Sequence, residues 1–187
     1  MMSKSEEILA AARQSAQAHG YGGLNFRDLA NEVGIKAASI YHHFPSKADL
    51  GAAVAKRYWE DTAADLDAIA AQFSDPKAAL AAYPQIFRSS LERENRLCMG
   101  SFMSAEYDDL PEPVRVEVQT FADVNTAWLA KMLVAAGAEK SGEDAESRAL
   151  AIFASVAGAQ LMARSRSDLG LFDRLIADYQ RAGLIPS

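Results

Sequence analysis

Between Lys36 and Lys47 the chain places a cation, a hydroxyl, a phenol, two imidazoles and a second cation in the order Lys36-Ala37-Ala38-Ser39-Ile40-Tyr41-His42-His43-Phe44-Pro45-Ser46-Lys47. Donors and aromatics this close together suit phosphates and base edges, with side chains short enough to enter a major groove. Metal binding fits them poorly, because adjacent positions on a helix point about 100° apart and His42 and His43 cannot converge on one ion. No nucleophile elbow, phosphate-cradling glycine loop, H-E-x-x-H or carboxylate pair at a defined spacing occurs, so no catalytic residue, metal or cofactor is expected. The single cysteine, Cys98, excludes an intramolecular disulfide and suits a reducing compartment.

Positioning these groups requires helices. Alanine occurs 37 times in 187 residues, against 6 prolines and 11 glycines, which predicts an all-α protein. Apolar spacing predicts a helix over 4–19 that stops at Gly20-Tyr21-Gly22-Gly23. A short helix follows from Asn25, its cap, to Val33. Gly34 supplies the left-handed turn, and a second short helix runs 37–44 until Pro45. Ser46 caps a long helix over 47–71. Further helices are expected at 77–93, 96–107, 111–136, 143–166 and 169–182, with a separating loop from Gly137 to Gly142, making about nine in all.

The net charge of −6 is unevenly spread: residues 1–57 hold 7 Lys+Arg against 5 Asp+Glu, whereas residues 58–187 hold 12 against 20. A weakly basic head and an acidic body suit two different partners. Acids sit near the start, in Met-Met-Ser-Lys-Ser-Glu-Glu, where a leader would need its apolar stretch, and no apolar run is long enough for a membrane span, so a cytoplasmic protein is expected.

Two short helices joined by a glycine-containing turn and braced by a preceding helix make a helix-turn-helix. Ala30 is small at the crossing, and Ile35 and Ile40 lie beneath the second helix. Over residues 5–58 the chain resembles the tetracycline-repressor (TetR/AcrR-like) family of bacterial regulators. Leu29-Ala30-Asn31-Glu32-Val33-Gly34-Ile35 and Ser39-Ile40-Tyr41-His42-His43-Phe44-Pro45-Ser46-Lys47-Ala48-Asp49-Leu50 carry the resemblance. It implies a homodimeric repressor with a helix-turn-helix domain over 1–46 that binds a palindromic double-stranded DNA operator. A ligand-binding and dimerisation domain over 47–187 would be released from DNA by a small effector. Tyr41, His43 and Lys47 are then phosphate contacts; Lys36, Ala37, Ser39 and His42 lie near base edges, and Arg27 touches the backbone or a base. The family often has Gly at the position of Ala38, and Thr or Ser at that of Phe26 to cap the second helix, a role Asn25 takes over here.

In the acidic body, aromatics and methionines exceed what an alanine-rich bundle needs, and they suit an adaptable apolar pocket. Phe87, Leu91, Cys98, Phe102, Met103 and Trp128 are the expected lining, with Glu106, Asn125 and Arg88 as orienting groups. Were Asn95 to cap a helix beginning at Arg96, Cys98 would sit in its first turn beside Arg93 and Arg96, where a thiolate is favoured. Residues from about 143 to 182 carry the expected dimer surface, with Ala149, Ile152, Phe153, Val156, Ala157, Gln160 and Leu161 on one helix and Leu171, Leu175, Ile176 and Tyr179 on the next.

Overall fold

The computed structural model describes residues 3–140 and 142–187. Met1 and Met2, part of the segment read against a leader, and Ser141, in the loop expected between Gly137 and Gly142, lie outside them. The described chain is all-helical: α1 (Lys4–His19), α2 (Phe26–Val33), α3 (Ala37–His43), α4 (Lys47–Gln72), α5 (Pro76–Ala82), α6 (Gln85–Glu92), α7 (Met99–Ala105), α8 (Glu112–Ala135), α9 (Gly142–Arg166) and α10 (Leu169–Arg181). Single 3-10 turns occupy Tyr21–Gly23 and Tyr107–Asp109. The helix expected over 77–93 is α5 and α6, parted at Tyr83-Pro84. The backbone stays helical there, with φ/ψ of −48°/−44° at Tyr83 and −59°/−18° at Pro84. Pro84 has no N–H to give to the preceding turn, so the one helix expected there is divided into two, while the rest of the nine-helix outline holds.

The helix expected from Arg96 begins instead at Met99. Glu94 and Asn95 adopt left-handed backbone (φ 59° and 55°), which no helix start tolerates. Asn95 does not cap anything: its Nδ2 donates to Arg164 O (3.0 Å) and to Ser167 Oγ (3.2 Å). Cys98 therefore precedes α7, is 3% exposed, and Arg96 pairs with Glu94. The first-turn thiolate reading is overturned by these bonds.

Two compact units divide the chain within α4 and α8. The first comprises Met1–Glu60 and Met99–Phe121, the second Asp61–Cys98 and Ala122–Ser187. In the first, Ile8, Ala12, Leu29, Ala30, Ile40 and Leu50 are buried, and Arg13 lies 4.8 Å above the ring of Tyr58, which meets Phe121 at 5.5 Å. In the second, α9 packs on α6 and α10. Its buried stripe is Ala145, Ala149, Ile152, Val156, Ala159, Gln160 and Ala163. Ala149, Ile152, Val156 and Gln160, expected at a dimer surface, thus point into their own unit.

Candidate nucleic-acid interface

Helix α2 starts because Asn25, in extended backbone, accepts through Oδ1 from the N–H groups of Arg27 (2.9 Å) and Asp28 (3.3 Å). That satisfies two of the amides a helix start leaves without partners. The helix ends because Gly34 takes φ 71°, ψ 38°. Ile35 N–H then reaches Ala30 O (2.9 Å) and Gly34 N–H reaches Asn31 O (3.3 Å), a Schellman closure that a side chain at Gly34 would strain. Pro45 and a capping pair follow α3. Ser46 Oγ accepts from Asp49 N–H (3.1 Å) and donates to Asp49 Oδ2 (2.6 Å), starting α4.

These caps hold α3 so that Ile40 is fully buried while Ser39, Tyr41, His42 and His43 are exposed, with Lys36 exposed just before the helix. Ala37 is half-buried and Arg27 is exposed at the start of α2. Tyr41 is 56% exposed and its ring lies 4.6 Å from that of Phe26 at a tilt of 55°, so the phenol packs against α2 while more than half of the residue meets water. Lys47 is half-buried, its ammonium 4.6 Å above the Tyr21 ring and 3.5 Å from Gly22 O. Seven of the eight residues expected at DNA thus share the α2–α3 module, and the eighth opens α4. Among the described residues no group of three or more His, Cys, Asp or Glu could hold a metal ion.

Two contacts of this unit were not anticipated. Tyr21 N–H donates to Glu106 Oε2 (2.8 Å), and Trp59 Nε1–H donates to Glu117 Oε2 (2.7 Å). Both bonds span more than fifty residues, and the one local signal was the glycine-rich stretch around Tyr21.

The residues expected around an effector are divided between the units. Phe102, Met103 and Glu106 lie in the first; Phe87, Leu91, Cys98, Asn125 and Trp128 lie in the second. There Tyr83 is fully buried, stacks on Trp128 (5.9 Å between centroids, 21° between planes), and donates through its hydroxyl to Asn125 Oδ1 (2.9 Å). Gln160 donates to Phe87 O (2.7 Å) and accepts from Cys98 N–H (3.0 Å). Phe87 meets Phe153 edge-on at 6.2 Å. Arg88, read as an orienting group, is paired with Asp173 (2.7 Å) and Glu92. Trp128 Nε1–H is buried and has no acceptor. Surface grooves of about 360 Å³ (Asp123, Thr126, Ala127, Glu146, Leu150) and about 400 Å³ (Glu94, Asn95, Leu161, Arg164, Ser165) include none of these effector-site residues.

The sequence profile described as bacterial regulatory proteins, tetR family, matches residues 8–54. A TetR transcriptional regulator from Legionella pneumophila superposes with a TM-score of 0.90 at 29% identity, covering 97% of this chain and 98% of that one. Residues 8–54 thus form a TetR/AcrR-like module, and the fold as a whole resembles that of TetR-family regulators. A second TetR-family regulator, from Agrobacterium tumefaciens, gives 0.88 at 28% identity over 98% of each chain. At 18% identity, the regulator FadR from Bacillus subtilis, solved with stearoyl-CoA, shares the fold (TM-score 0.73; 96% of this chain, 97% of that one). No curated protein matches. The matched TetR family and these relatives are transcriptional regulators, not enzymes, and among the described residues of this TetR-like chain no helix is long and apolar enough to cross a membrane.

Proposed function

We propose that this TetR-like chain is a cytoplasmic, ligand-responsive repressor that binds a palindromic DNA operator as a homodimer and releases it when a small effector binds. Residues 1–46 serve as the DNA-binding domain and 47–187 as the ligand-binding and dimerisation domain, with α4 passing from one to the other. The observation that carries this reading is the exposed face of α3: buried Ile40 anchors the helix, and Lys36, Ser39, Tyr41, His42 and His43 are exposed to solvent, their ring contacts being Tyr41 on Phe26, His42 on His43 and His43 on Phe44. In a dimer two such helices must sit roughly 34–36 Å apart to enter successive major grooves.

Pairing through 143–182 is supported by a second, solvent-facing stripe on α9. Leu150 (58% exposed), Ala154, Gly158 and Leu161 (56% exposed) recur at three- and four-residue spacing, with Met162 beside them. So contiguous an apolar stripe on a surface helix calls for a partner. The effector is supported by Trp128. An indole N–H buried without an acceptor costs about 1–3 kcal/mol, which a ligand carrying an acceptor would recover. FadR, of the same fold, accommodates stearoyl-CoA.

Selection of duplexes from a randomised pool, followed by fluorescence anisotropy against salt, tests the DNA reading. A palindromic winner is expected, with affinity falling steeply with salt, and Lys47→Ala lowering the slope by roughly one unit. Failure to enrich any duplex, or salt-independent binding, would reject it. In a Trp59→Phe background, a true effector perturbs Trp128 emission and binds more weakly when the duplex is present; equal affinity with and without DNA would separate ligand binding from control.

A further inference from the structure

We propose that Glu106 is a positioning residue for DNA binding: its carboxylate fastens the 3-10 turn Tyr21–Gly23, the segment that sets the entry of α2, to the stretch following α7. The proposal rests on the DNA-binding reading above and concerns what holds the recognition module in place. Glu106 Oε2 accepts the Tyr21 N–H at 2.8 Å. Gly20 allows the approach, since a Cβ there would stand 2.2 Å from that oxygen, and its φ of 67° is a conformation that L side chains rarely adopt. The same turn is held on its other sides. Ser15 Oγ donates to Gly23 O (2.7 Å), and Lys47 lies 4.6 Å above the Tyr21 ring.

From Tyr21 to the cap residue Asn25 is four residues, so a shift of the turn is passed to the start of α2 and, through the Gly34 closure, to α3. The bond from Glu106 differs from the other two in kind. Ser15 and Lys47 tie the turn to the helices flanking the module in sequence, whereas Glu106 comes from 85 residues further along. A charged acceptor on a backbone N–H is among the stronger hydrogen bonds, and this one replaces water on an amide at the open end of a turn. Glu106 thus has an engagement other than the effector contact expected of it, one that governs where α2 and α3 are held.

Amide hydrogen exchange at Tyr21 and anisotropy on the duplex selected by wild-type protein test this together. Glu106→Ala is expected to lose Tyr21 protection and to bind the duplex about 10-fold more weakly, with reduced discrimination against duplexes whose half-sites are moved by one base pair. Glu106→Gln, which keeps an acceptor of the same reach, should stay within about threefold of wild type, and Glu106→Asp, charged but shorter, should behave like Ala. If Glu106→Ala keeps Tyr21 protection, or loses it and still binds and discriminates spacing as wild type does, the proposal is overturned while the DNA reading stands. If Glu106→Asp matches wild type and Glu106→Gln does not, a long-range charge effect replaces the positioning bond. If wild type enriches no duplex, the DNA reading fails and this proposal falls with it.

Discussion

The α3 face and the interior around Tyr83 use the same kinds of polar group in opposite ways. On α3 the hydroxyl of Ser39, the phenol of Tyr41 and two imidazoles are exposed above buried Ile40. Around Tyr83 the phenol, Asn125 and Gln160 are completely buried and each is bonded to a group on another element. Exposed polar groups cost little to keep and are free to meet a ligand. Buried ones must satisfy each other, since each lost partner leaves a group without water. Substitutions in the two regions should therefore separate stability from DNA binding.

The widest separation is expected from Phe87→Ala, which removes a fully buried ring at the meeting of α6 and α9 and should lower unfolding stability by about 3–5 kcal/mol in urea titration. Tyr83→Phe should cost about 1–3 kcal/mol at neutral pH by removing the buried hydroxyl's bond to Asn125 Oδ1. It also carries a pH signature. Burial, then the neighbouring Cys98, holds the Tyr83 hydroxyl well above its ordinary value of 10.0. Its neutral form is thus favoured by folding: that contribution is fully present below the ordinary value and is lost as pH rises toward the folded one. Wild type should weaken more steeply above pH 10 than Tyr83→Phe does, and parallel curves in alkaline denaturation would show the phenol to be uncoupled from folding.

On the other side, Tyr41→Ala should weaken operator binding by about tenfold with circular dichroism and melting nearly unchanged. Global unfolding of that variant would move Tyr41 into the core and erase the contrast. Asn25→Ala removes the α2 cap and should cost about 1 kcal/mol, together with some DNA affinity because α2 carries Arg27. The smallest effect belongs to Asp173→Asn. The hydrogen bond from Arg88 holds the Asp173 carboxyl below the usual range, so its stabilisation is present above that range and fades as pH falls through the folded value. With Asp173 half in solvent, a difference under about 1 kcal/mol at pH 7, vanishing in acid melts, is expected.

The same contrast governs what the residues alone reveal. The α2–α3 module was legible because its determinants are local: Asn25 bonds two and three residues on, Gly34 closes the turn behind it, and Ser46 answers Asp49. Helix bounds elsewhere followed from period and punctuation for the same reason. The start of α7 was not legible. Asn95 reads as a cap, but its amide is claimed by Arg164 O, 69 residues away, and its backbone by a left-handed turn. The apolar positions of α9 were recognised as too many for one face, yet period alone could not say which stripe met α6 and α10; burial assigns Val156 inward and Leu161 outward. Glu106 has no local signal at all, since its partner is a backbone amide.

Cys98 gives this chain a property useful at the bench. The residue is 3% exposed and is the only cysteine in the sequence. A maleimide or disulfide reagent therefore meets no accessible thiol on the folded protein, and alkylation proceeds only as often as the interior opens. The native chain is in effect cysteine-free toward surface dyes, so a single introduced thiol on α3 or on the outer stripe of α9 can carry a label alone. Cys98 also serves as a clock: its rate of modification by an added thiol reagent, followed by mass, reads out the opening of the unit formed by Asp61–Cys98 and Ala122–Ser187 with no residue introduced.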